Sequence, residues 1–76
     1  MCKETRVFNI INDLQKENVI DGAARVNEVI TEAGRNGIEE PHARRFIEDL
    51  ETLGAVKAVK REGLELLTTV EHVEKQ

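Results

Sequence analysis

The stretch IEEPHARRFIEDLETLGAVKAV, residues 38–59, is the part of the chain from which the other segments take their roles. Ala43, Phe46, Ile47, Leu50 and Leu53 recur at intervals of three and four, which gathers them on one face of a helix. Pro41 suits the first turn of that helix, where its missing N–H is not needed, and Gly54 suits the end, where a left-handed residue closes the backbone. Beyond Gly54 the segment AVKAV alternates and is rich in Ala and Val, so the backbone is expected to leave the helix extended. A helix with one apolar face needs partners, and the flanking segments must supply them.

Downstream, AVKAV, KREG and LELLTTV read as strand, turn and strand, with Gly63 at the turn and Lys57, Lys60 and Arg61 clustered around it. Upstream, Gly34, Arg35, Asn36 and Gly37 make a turn, and Ile38, a lone apolar residue among polar ones, plugs the angle between the helices on either side. TRVFNIINDLQKEN, residues 5–18, is the first helix. Val7, Ile10, Ile11 and Leu14 share its apolar face, with Phe8 at the edge, and Arg6, Asn9, Asn12, Asp13 and Lys16 lie opposite.

Between these segments NVIDGAARVN, residues 18–27, admits two readings. In one, Asp21 caps a long helix from Gly22 to Ala33. In the other, the loop runs through Gly22, residues 24–26 form a very short strand, and Asn27 is the N-cap of the short helix EVITEAGR. The second is preferred, because Gly22 then serves a turn instead of weakening a helix, and the short strand gives the hairpin a third neighbour. Val29, Ile30 and Ala33 face the core in both.

With 76 residues there is room for one domain and one core, and a chain this small buries only about 60% of its unfolded surface. Cys2 is the one cysteine, so no internal disulfide is available and the chain is expected to be intracellular and cytoplasmic. No signal-peptide core or long apolar run is seen, which argues against secretion and membrane spanning. Eleven basic against fifteen acidic residues give a net charge of −4, which does not forbid nucleic-acid binding but removes the attraction that would make it strong at physiological salt.

Three apolar-faced segments, a short strand and a final alternating hairpin define an α+β winged helix-turn-helix, with three helices and a C-terminal β-hairpin wing in residues 6–70. Residues 1–5 are expected to be disordered or to stem from a cloning boundary, and residues 71–76 to be a polar tail. No helix beyond the core offers a dimer interface, so the isolated domain is expected to be monomeric.

VFNIINDLQ as first helix, GAARVNEVITEAGRNGIEE as loop, strand, second helix and turn, and RRFIEDLETLGAVKAV as third helix and first wing strand resemble the C-terminal winged-helix domain of the archaeal minichromosome maintenance (MCM) replicative DNA helicases. The likeness extends over roughly residues 6–70, although a final helix with a Gly-x-Val exit is common to many winged-helix proteins of transcription and replication. It implies a non-catalytic appendage, joined by a linker to a hexameric ATP-driven motor associated with the nucleoid, that modulates the motor. Its partners would be the ATPase domain of the same helicase or other replication proteins. ATP and Mg would belong to that motor, since this sequence carries none of the residues that bind them.

Taking ~100° per residue, the helix face opposite the apolar stripe holds Pro41, Arg45, Glu48 and Thr52, flanked by His42 and Asp49 on one side and Arg44 and Glu51 on the other. Arg45 is placed to reach a phosphate or base edge, and Thr52 suits either. Yet Glu39, Glu40, Glu48, Asp49 and Glu51 set five carboxylates against two arginines, and Arg44 with Glu48 and Arg45 with Asp49 stand four residues apart, where they can neutralise each other. Arg44, Glu48, Asp49, Glu51 and Thr52 therefore read as a solvated or protein-contact face. Arg45, Lys57, Lys60 and Arg61 are the candidate contacts for weak, non-specific DNA binding, against the plain reading of a charged hairpin tip.

His42, His72 and Cys2 lack metal-ligand spacing, the glycines stand in isolated turns without a phosphate-loop Lys, and the carboxylates have no apolar cleft. No metal, cofactor or enzymatic activity is expected of this chain. The competing classes are a stand-alone winged-helix DNA-binding transcription regulator, which would need dimerisation to read a palindrome, and a protein-binding winged helix of transcription or proteolysis machinery.

Overall fold

Three helices and a three-stranded antiparallel sheet build the chain in a computed structural model that describes residues 2–20 and 22–69. The order is α1 (Lys3–Glu17), β1 (Ala24–Arg25), α2 (Val26–Arg35), α3 (Glu40–Thr52), β2 (Val56–Arg61) and β3 (Leu64–Thr69). In the sheet β3 lies between β1 and β2, so that Leu67 faces Ala24 on one side and Ala58 on the other. This is a winged helix-turn-helix, with the β2–β3 hairpin as wing. Met1, the cap candidate Asp21, and the tail of residues 70–76 with His72 lie outside the described residues.

The helices converge on one core because each carries one apolar stripe. Val7 and Ile11 of α1, Val29 and Ala33 of α2, and Ala43, Ile47 and Leu50 of α3 close over Val56 and Leu67 of the sheet. Ile38, between α2 and α3, is only 1% exposed and fills their angle as its isolated position predicts. Phe8, Ile10, Leu14, Ile30 and Phe46 pack around the rim of this cluster, partly buried.

Two helices stop by the same device. After α3, Gly54 adopts φ +79°, its N–H donates to the Glu51 carbonyl at 3.0 Å, and the Ala55 N–H donates to the Leu50 carbonyl at 2.9 Å. After α2, Gly37 adopts φ +81°, its N–H donates to Gly34 at 3.1 Å, and Ile38 donates to Ala33 at 2.9 Å. In each case the left-handed glycine lets two orphan carbonyls find donors, and the next residue turns inward over the last turn. The α2 ending is thereby what drives Ile38 into the core.

Four expectations change. The first helix opens at Lys3, within the residues expected to be disordered: Cys2 is extended and Arg6 N–H donates back to its carbonyl at 3.1 Å. Lys3, Glu4 and Arg6 are good helix formers, and Glu4 suits the positive end of the helix. Asn27 is not the N-cap of α2; that position is Arg25, which pairing with Leu66 holds extended, so Val26 already turns into the helix and half-buries its side chain. Leu53 is the C-cap of α3 and 70% exposed, because the helix ends before its side chain reaches the core. The wing turn is only Glu62-Gly63, both at positive φ (51° and 81°), so Lys60 and Arg61 belong to β2 opposite Glu65 and Leu64. Such a two-residue turn with both residues left-handed matches the twist of the strands it joins.

Candidate functional site

The surface shared by α3 and the wing is set by helix periodicity on one side and strand alternation on the other. With Ala43, Ile47 and Leu50 inward, Arg45 and Thr52 point directly away from the core, and Arg44, Glu48 and Glu51 line the edge beside the hairpin. Along β2, Val56, Ala58 and Lys60 share the core-side face, and Lys57, Val59 and Arg61 share the other. The four candidate DNA contacts therefore do not converge. Arg45 stands on the outer line of α3, Lys60 on the inner face of the hairpin, and Lys57 and Arg61 on its outer face. Lys57 sits opposite Thr68, well down the strand from the turn, so the cations do not cluster at the hairpin tip.

Neither expected ion pair along α3 forms. Arg44 Nε instead donates to Glu40 Oε2 at 3.0 Å, and Arg45 has no carboxylate partner among the described residues. A carboxylate one turn N-terminal to a cation is the favoured order on a helix, because each charge then suits the nearer helix pole. Glu40 with Arg44 has that order, and Arg44 with Glu48 reverses it. Glu48, Asp49 and Glu51 form no ion pair among the described residues, so α3 presents three uncompensated carboxylates where a reading helix would present cations. Among the described residues Arg35 also pairs with Glu32 at 2.7 Å and Arg25 with Glu28 at 3.9 Å, in α2 and at its cap.

Between α3 and the inner face of the hairpin lies a groove of about 490 Å³. Val26, Ile47, Ala58 and Leu67 form its apolar floor, and Arg44, Glu48, Glu51, Lys60 and Glu65 its charged rim. Past Val26, Arg44 and Glu65 it opens into a second hollow at the start of α2, bounded by Arg25, Asn27, Glu28, Gly63 and Leu64. Val26, Ala58 and Leu67 escape a reading by local pattern. The signal that places Ala58 beside Leu67 and Lys60 beside Glu65 is the Glu62-Gly63 turn, which fixes the hairpin register once it is recognised.

His42 is exposed on α3, and Cys2 is exposed at the N-cap of α1. Among the described residues no group of three or more His, Cys, Asp or Glu side chains gathers in a manner suited to a metal ion. The Cys2 thiol makes no capping hydrogen bond, yet its pKa is lowered, chiefly by the backbone N–H of Thr5 and next by that of Glu4, both at the free-donor end of α1. No helix among the described residues is long and apolar enough to cross a membrane. Comparison with protein-family profiles, curated proteins and solved structures gives no match for this chain.

Proposed function

We propose that this chain is a non-catalytic winged-helix docking or regulatory module of a replicative DNA helicase of the MCM kind. It contacts protein through the acidic side of α3 and DNA at most weakly through the wing. One observation carries this reading: among the described residues Glu48, Asp49 and Glu51 are exposed and form no ion pair, while Arg44 beside them is held by Glu40. A phosphate approaching α3 meets net negative charge, whereas a protein surface with cations meets complementary charge. The partner in this reading is the ATPase domain of the helicase or another replication protein, at the nucleoid in the cytoplasm. ATP and Mg act in the motor alone.

The coding sequence that adjoins the chain tests the motor half of the proposal. An ATPase encoded in the same reading frame supports it, and a complete gene with no motor contradicts it.

Arg45, which faces outward without a carboxylate partner among the described residues, favours a second reading as a stand-alone DNA-binding transcription regulator. That function requires two copies to span two half-sites. Sedimentation velocity of the chain separates the two: a monomer fits the docking module, and a stable dimer fits the regulator.

A further inference from the structure

We propose that the groove between α3 and the wing is the docking site itself, and that it takes a short segment of a partner protein in which apolar residues are flanked by lysine or arginine. The inference rests on the docking reading above and assigns its site and the chemistry of its ligand. At the groove floor half-buried Val26 and exposed Ala58 offer apolar contact to side chains inserted from outside, over the buried Ile47 and Leu67. Its rim is unbalanced. Arg44 is already engaged by Glu40, and Arg25 in the adjoining hollow by Glu28. Among the described residues Glu48, Glu51 and Glu65 form no ion pair, against Lys60 as the one cation of the groove lining that forms none.

Three carboxylates around an apolar floor disfavour two other occupants. Nucleic acid would bring phosphates against Glu48, Glu51 and Glu65, and a second copy of this chain would bring another net charge of −4. A cationic segment with apolar anchors satisfies both floor and rim. The anchors leave water on the floor, and the flanking cations steer the approach and fix the register. Because the groove continues past Val26 and Glu65 into the hollow at the start of α2, it accommodates an extended segment and not merely a single side chain.

A phage-displayed library of random decapeptides panned against the intact chain tests the inference, followed by amide chemical-shift mapping with the selected peptide. Enrichment of Lys or Arg beside Leu, Ile, Met or Phe is expected, with the largest shifts at Val26, Ile47, Ala58 and Leu67. The triple variant Glu48→Gln, Glu51→Gln, Glu65→Gln should weaken that peptide about tenfold or more. Ala58→Arg, a change at an exposed strand position, should abolish its binding while the remaining shifts stay in place. Selection of acidic or uncharged peptides, shifts centred away from the groove on α1 at Ile10 and Leu14, or no enrichment overturns the groove proposal. So does concentration-dependent shifting of the same residues by the chain alone, or their displacement by duplex DNA at lower concentration than by peptide. Any of these outcomes with weak DNA binding leaves protein docking to another face. Nanomolar, sequence-selective DNA binding removes the docking reading itself.

Discussion

Gln15 of α1 and Thr69 at the end of β3 satisfy one another in the interior. The Thr69 N–H donates to Gln15 Oε1 at 2.7 Å, and Gln15 Nε2 donates to Thr69 Oγ1 at 3.3 Å. Both residues are buried, and the contact joins the first helix to the last described strand across 54 positions. Replacing Gln15 with Leu keeps the bulk and removes the acceptor, leaving a buried backbone N–H without a partner at a cost of about 1–3 kcal/mol. For a domain of this size each kcal/mol lowers Tm by about 4–8 °C. Thr69→Val keeps the N–H bond and unpairs only Gln15 Nε2, whereas Gln15→Leu unpairs both Thr69 groups, so Thr69→Val should cost less. Thermal unfolding of both variants checks the order, and equal losses would contradict it.

The glycines should respond in opposite directions. At Gly54 an added Cβ meets nothing within 4 Å, so the cost of Gly54→Ala is conformational, arising from φ +79°, and is expected at about 1–2 kcal/mol. Gly34 sits inside α2 in equally open space with ordinary backbone. Gly34→Ala should stabilise the chain by about 0.4–1 kcal/mol, because it narrows the unfolded ensemble. Urea unfolding of the two single variants measures both signs.

Ile38 and Leu53 both carry large apolar side chains in or beside the segment that organises the fold, and only Ile38 is buried. Ile38→Ala should destabilise by about 2–5 kcal/mol through lost burial and the cavity left behind. Leu53→Ala should change stability by no more than about 0.5 kcal/mol. A loss of similar size from both would show that Leu53 packs in solution.

What could be read from the residues was whatever local chemistry determines. Gly54, Gly37 and Gly63 mark backbone turns that few other residues tolerate, and each stands at positive φ where its segment changes direction. The stripe through Ala43, Ile47 and Leu50 gave the buried side of α3, and the short strand before α2 followed from a glycine better used in a turn. What could not be read depends on residues far apart in the chain. Gln15 looks like one more polar residue of an amphipathic helix until Thr69 arrives beside it. Leu53 continues the apolar spacing, but the helix ends one residue earlier. The wing cations look clustered in sequence, and the two-residue turn distributes them over both faces of the hairpin. The groove, built from α2, α3 and two strands, has no local signature at all.

Cys2 gives a pH-dependent prediction. Its lowered pKa, due first to the Thr5 N–H and then to the Glu4 N–H, means that the folded chain favours the thiolate. A group with a depressed folded pKa adds stability above its unfolded pKa and loses it as pH falls through the folded one. Alkylation by iodoacetamide should therefore reach half its maximal rate at lower pH in the native chain than in urea. Coincident midpoints would show that the end of α1 is frayed in solution.

The central claim is that α3 does not read DNA, and fluorescence anisotropy with two unrelated duplexes at two salt concentrations tests it most directly. Arg45, Lys57, Lys60 and Arg61 are the available phosphate contacts, so at most about four phosphates are neutralised and the log–log salt slope is at most about 3.6 in magnitude. Binding should be sequence-independent, with Kd at ~10⁻⁴ to 10⁻⁶ M or weaker at physiological salt. Lys60→Ala with Arg61→Ala should abolish it, and Glu48→Gln with Asp49→Asn should strengthen it by removing repulsion beside Arg45. Nanomolar binding that distinguishes the two duplexes at physiological salt would contradict the account.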